Sequence, residues 1–71
     1  MTRELNNLFS LEGKVIVITG AAGLLGQRHA EAIAAYGGNP ILLDLSEDAV
    51  EVMANKLNKQ YAVKSVGFAV D

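Results

Sequence analysis

An apolar run that opens straight into a loop of three glycines limits the folds open to this chain more than anything else in it. Val15, Ile16, Val17 and Ile18 are β-branched, apolar and consecutive, with no polar alternation, between Lys14 and Thr19. Such a run suits a strand covered on both faces, as in a parallel sheet. Gly20 to Gly26 then reads as a glycine-rich turn. From Leu24 to Tyr36 most residues are good helix formers. Ala30, Ile33, Ala34 and Gly37 fall at i, i+3, i+4 and i+7, which gives one apolar face built of small side chains. Gly37-Gly38-Asn39-Pro40 ends this helix, with Gly where a left-handed cap is needed and Pro just beyond.

The same alternation then repeats. Ile41-Leu42-Leu43 is a second short apolar run, and it ends at Asp44. Ser46 is placed to cap a second helix, with Glu47 and Asp48 in its first turn, where acids favour the positive end of the helix dipole. Ala49, Val50, Met53 and Leu57 form a helical stripe, and Lys56 and Lys59 fall near its C-terminal end. Tyr61 to Val63 reads as a loop or an early strand, and Ser65 to Asp71 as a third strand with Asp71 at its tip. The order is β-α-β-α-β with short connections. Right-handed crossovers then place three parallel strands in one sheet in the order 3-2-1. The expected architecture is α/β, the N-terminal half of a doubly wound Rossmann fold. Residues 1–13 form a lead-in and residues 14–71 a partial dinucleotide-binding domain.

Composition narrows the chemistry. The chain has 71 residues, enough for one small domain at most. A chain of this size buries only about 60% of its unfolded surface. It has no cysteine, so disulfides and thiolate metal sites are excluded, and its single histidine, His29, cannot make a metal site alone. Net charge is −2, with the six basic residues scattered, which argues against nucleic acid as a partner. No apolar run approaches the roughly 20 residues that cross a bilayer. Met1 to Asn7 carries an acid and no long apolar stretch, unlike a secretory signal. A cytoplasmic protein with no membrane partner is the expectation.

The loop has specific physics. Gly20 allows a tight turn out of the strand. A small residue at Ala22 or Gly23 lets the backbone approach a pyrophosphate, and Gly26 lets the helix lie against the first strand. Unpaired N–H groups near Leu24 and Leu25 would then face phosphates, aided by the helix dipole. The competing reading is a plain strand-turn-helix corner with glycines for packing alone. A P-loop needs Gly-Lys followed by Ser or Thr, which is absent. The common G-x-G-x-x-G spacing needs glycine where Ala22 stands; this chain has Thr-Gly-x-x-Gly-x-x-Gly instead. Asp44 stands 18 residues after Gly26, close to the roughly 20-residue offset at which an acid meets the adenosine ribose. A carboxylate there accepts from both ribose hydroxyls and repels a 2′-phosphate, so NAD is favoured over NADP. The alternative role for Asp44 is capping the second helix, for which Ser46 is also available. Arg28, the nearest cation for a 2′-phosphate, is expected to face solvent, and His29 is given no role.

Phe9-Ser10-Leu11-Glu12-Gly13-Lys14 and Ile18-Thr19-Gly20-Ala21-Ala22 resemble the short-chain dehydrogenase/reductase family, and the likeness runs from Phe9 to Asp71. The lead-in is similar to the compact branch. The loop spacing, with Gly23 before Leu24, is similar to the extended branch, whose members often act on nucleotide sugars. The resemblance implies that Asp71 contacts the adenine and that Leu45 flanks it. It implies hydride transfer between a nicotinamide and a carbon bearing oxygen, with a tyrosine and a lysine four residues later, the pair following the fifth strand. Tyr61 and Lys64 are three residues apart and precede the third strand, so no catalytic residue is assigned. The chain is therefore expected to be a piece of a longer enzyme, inactive alone, whose remainder meets a small-molecule substrate and which assembles as a homo-oligomer. The alternative is a dinucleotide-binding sensor or regulatory module without chemistry; a methyltransferase fits the glycine spacing less well.

Overall fold

A computed structural model describes residues 10–70. Strand β1 (Val15–Thr19), helix α1 (Leu24–Ala35), strand β2 (Asn39–Asp44), helix α2 (Glu47–Tyr61) and strand β3 (Val66–Ala69) follow in that order. The strands form one parallel sheet, β1-β2-β3, which is the expected 3-2-1 order seen from the other edge. Val15 pairs with Asn39 and Thr19 with Leu43; Ile41 pairs with Val66 and Asp44 with Ala69. Each crossover steps the same way along the sheet, so right-handed connections put both helices on one face. The two helices also touch each other.

The core lies between that face and the helices. Ile18 and Leu42 from the sheet meet Ala30 and Ala34 of α1 and Val50, Ala54 and Leu57 of α2, with Ile33, Met53, Tyr61 and Val63 packed around them. The small-residue stripe of α1 serves as its periodicity suggests, and it lets the helix lie close to the strands. The opposite face of the sheet is open: Val15 is 65% exposed, Val17 59% and Phe68 53%. This corrects the expectation that β1 is covered on both faces, because among the described residues both helices fall on the same side.

Two boundaries also move. β2 begins at Asn39, so Pro40 lies inside a strand rather than in the preceding turn. The Asn39 N–H donates to the Lys14 carbonyl at 2.8 Å, toward β1. Alternation then turns the position of Pro40's missing donor toward β3, whose pairing starts only opposite Ile41. Ser65 completes the join, its Oγ donating to the Pro40 carbonyl at 2.7 Å. Helix α2 runs on through Tyr61, where the sequence suggests a loop or early strand, and stops at Ala62 in the left-handed region, φ 57°. Asn58 steers the exit. Its Oδ1 accepts from the Ser65 N–H at 2.6 Å and its Nδ2 donates to the Ser65 carbonyl at 2.9 Å. The lead-in ends in a turn tied to α1, with the Leu11 N–H donating to the Tyr36 carbonyl at 2.8 Å.

Candidate functional site

The C-terminal ends of β1 and β2 and the start of α1 meet at one corner. Gly20 turns the chain out of β1 in the left-handed region, φ +64°, which side chains other than glycine's rarely adopt. Ala21 is fully buried and its N–H donates to the Leu43 carbonyl at 3.1 Å, which seats the loop on the end of β2. Helix α1 then crosses directly over this turn. A Cβ at Gly26 would stand 2.8 Å from the Ala21 Cα and nearer still to the Gly20 carbonyl oxygen, so only glycine fits. Gly23 differs from both. Its φ of −72° suits any residue, and a Cβ there would meet the protein only at 3.4 Å, from the Gly20 carbonyl. Neither the fold's conformation nor its packing demands glycine at 23; what its absence of a side chain provides is clearance on the outer side of the loop.

The two helix starts are built differently. In α2 the Ser46 Oγ accepts from the Ala49 N–H at 3.2 Å, and Glu47 and Asp48 stand in the first turn. Helix α1 has glycine as its N-cap, no side-chain cap and no acid in its first turn. Its first intrahelical bond runs from the Gln27 N–H to the Gly23 carbonyl at 2.9 Å. The N–H groups of Leu24, Leu25 and Gly26 therefore lack intrahelical acceptors, and they carry the positive end of the helix dipole. The Leu24 and Leu25 side chains are largely exposed. Such a bare end accepts anions without any cationic side chain.

Asp44, at the tip of β2, stands beside this end. Its Oδ2 accepts from the Ala22 N–H at 2.9 Å and its Oδ1 from the Leu45 N–H at 2.6 Å. The Ala22 amide bond is the largest influence holding the Asp44 carboxyl below its ordinary value, followed by the Leu45 amide, with partial desolvation opposing them. Asp44 thus latches the glycine loop to the second strand, and Ser46, not Asp44, caps α2.

Gly20, Ala22, Gly23, Leu24, Leu25, Gly26, Asp44 and the exposed Leu45 are all brought to this corner. Asp71 lies outside the described residues. Arg28 and His29 are exposed on α1. Tyr61 sits at the far end of the sheet, half-buried, lining a cleft of about 630 Å³ with Glu12, Tyr36, Asn39 and Lys64. Sequence reasoning missed Gln27, whose Nε2 donates to the Ala22 carbonyl at 3.0 Å. The available signal was a long amide side chain one helical turn beyond the middle glycine.

No family model matches the sequence. Over 64 residues it is 38% identical to the NADP-dependent mannitol dehydrogenase of Alternaria alternata, covering 86% of this chain and 24% of that protein. The crystal structure of NADPH-dependent 3-quinuclidinone reductase from Rhodotorula rubra superposes with a TM-score of 0.88 at 35% identity, covering 100% of this chain and 27% of that one. A short chain dehydrogenase from Salmonella enterica superposes with a TM-score of 0.79 at 30% identity, covering 86% of this chain and 25% of that one. The chain belongs to the short-chain dehydrogenase/reductase family. It spans about a quarter of the length of these relatives.

Proposed function

We propose that this short-chain dehydrogenase/reductase chain supplies the diphosphate and adenosine grip for a nicotinamide dinucleotide in an oxidoreductase. The observation that carries this reading is the uncapped, acid-free start of α1 facing outward past Gly23, where α2, the other helix among the described residues, has both cap and acids. Amides of Leu24, Leu25 and Gly26 would donate to the diphosphate, and Gly23 would give it room. Ala22 and Asp44 would border the adenosine ribose, with Leu45 against the adenine and Asp71 near it. The bound dinucleotide supplies a hydride acceptor or donor; this chain's own residues bind and orient it. The proposed substrate is an alcohol, ketone or sugar-like molecule held by a further part of the protein, which would act as a homo-oligomer in the cytoplasm.

We further propose NAD over NADP. The names of two relatives above specify NADP or NADPH, so this preference rests on Asp44 alone. Its carboxylate, kept ionised by two backbone amides, would stand close to a 2′-phosphate and repel it. Titration of NAD and NADP against wild type and Asp44→Ala tests both parts. The expected result is tighter NAD binding in wild type and a ratio moving toward NADP in the variant, with both affinities lowered because the latch on Ala22 is cut. An unchanged ratio refutes the ribose assignment, and binding of neither dinucleotide refutes the cofactor.

A further inference from the structure

Gln27 lies in the first turn of α1 and is exposed, so neither core packing nor helix propensity asks for its amide. Its Nε2 nevertheless reaches back to donate to the Ala22 carbonyl at 3.0 Å. The N–H of the same residue, Ala22, donates to the Asp44 Oδ2 at 2.9 Å. One residue of the glycine loop is thus held on both polar groups by side chains from different elements, α1 and the tip of β2. Its neighbours are fixed by backbone alone: the Ala21 N–H on the Leu43 carbonyl and the Gly23 N–H on the Gly20 carbonyl. Ala22 is the segment between them with no backbone partner of its own among these bonds. The N–H and carbonyl of Ala22 are thus held by side chains, Asp44 and Gln27, where the residues on either side are held by backbone.

We propose that Gln27 is a positioning residue for the dinucleotide: by holding the Ala22 carbonyl back toward α1 it fixes the peptide plane that presents Ala22 to Asp44 and keeps the space over Gly23 open. This rests on the proposed dinucleotide function of the same corner, but the clamp itself is a property of the ligand-free protein. Gln27 does not touch the reacting atoms, and its effect comes through pre-organisation of the loop, whose ordering would otherwise be charged against binding.

The test uses the full chain, with Gln27→Leu, similar in bulk and without a donor, with Asp44→Ala, and with the double variant Gln27→Leu/Asp44→Ala. Two readouts are taken: amide hydrogen exchange at Ala22 without ligand, and the Kd for NAD and NADP by titration. Circular dichroism checks that each variant is folded, which the exposure of Gln27 favours. The expected result is exchange at Ala22 accelerated about threefold or more in Gln27→Leu and dinucleotide binding weakened about three- to tenfold, the range of one net hydrogen bond. The two substitutions together should cost less than the product of their separate effects, since each cuts the same clamp. Unchanged exchange overturns the clamp. Faster exchange with an unchanged Kd overturns the positioning role. If wild type binds neither dinucleotide, the functional reading fails instead, and the Ala22 exchange rates show that failure apart from the clamp's.

Discussion

Gly26→Ala should damage this protein although alanine is the best helix former. The added Cβ would lie 2.8 Å from the Ala21 Cα and 3.1 Å from its carbonyl carbon, and closer to the Gly20 oxygen. Non-bonded carbons rest at roughly 3.5–4.0 Å, so the shortfall at the Cα is about 0.7 Å. All three obstacles are backbone atoms, and Ala21 is tied to Leu43, so no side chain can rotate aside. Overpacking costs about 1–3 kcal/mol, and rigid obstacles put this site at the upper end. Replacing glycine in a helix returns about 1 kcal/mol. The expected net loss is about 2 kcal/mol, or a Tm lowered by roughly 8–16 °C in a domain of this size. Thermal and urea unfolding followed by circular dichroism measure it. Gly23→Ala is the control, since its Cβ would meet only one atom at 3.4 Å. A Gly26→Ala protein as stable as wild type would show that α1 does not cross the loop this closely.

Gly23→Ala should leave the unfolding midpoint nearly unmoved yet weaken dinucleotide binding about tenfold, a separation that paired melting and titration would reveal. Asp44 has its pKa lowered by the Ala22 and Leu45 amides, so its ionised form is the one that favours folding. That contribution is whole above the unfolded value of roughly 3.9 and is lost as pH falls through the lower folded value. The stability gap between wild type and Asp44→Asn should therefore be flat from pH 7 to 5 and close in stronger acid, as urea titrations across that range would show. Ser65→Ala deprives the Pro40 carbonyl of its 2.7 Å donor at a buried site; a loss of about 1–3 kcal/mol in urea unfolding is expected.

The fold was largely legible because its signals are local. The glycine loop, the Ser46 cap and the two apolar runs each mark a boundary by short-range physics, and each boundary stands within a residue or two. The place of Pro40 inside β2 is not legible in the sequence, because its acceptability depends on where β3 begins, which only the sheet register decides. The exposure of Val15 and Val17 was equally hidden: an apolar run records what a strand is suited to, not which neighbours are present. At the site, Gly20, Gly26 and Asp44 could be read from spacing. Gln27 could not, since a glutamine on an exposed helix face looks like any solvated residue until the Ala22 carbonyl is known to lie within its reach.

The latch between Ala22 and Asp44 closes over only 22 residues of sequence. Loop, helix start, clamp and strand tip all come from a single β-α-β unit. Such a segment is portable. Transplanting residues 15–45 as a cassette into a homologous reductase should carry the proposed preference for NAD along, whereas exchanging the aspartate by itself would move the charge but leave behind the backbone geometry that aims it.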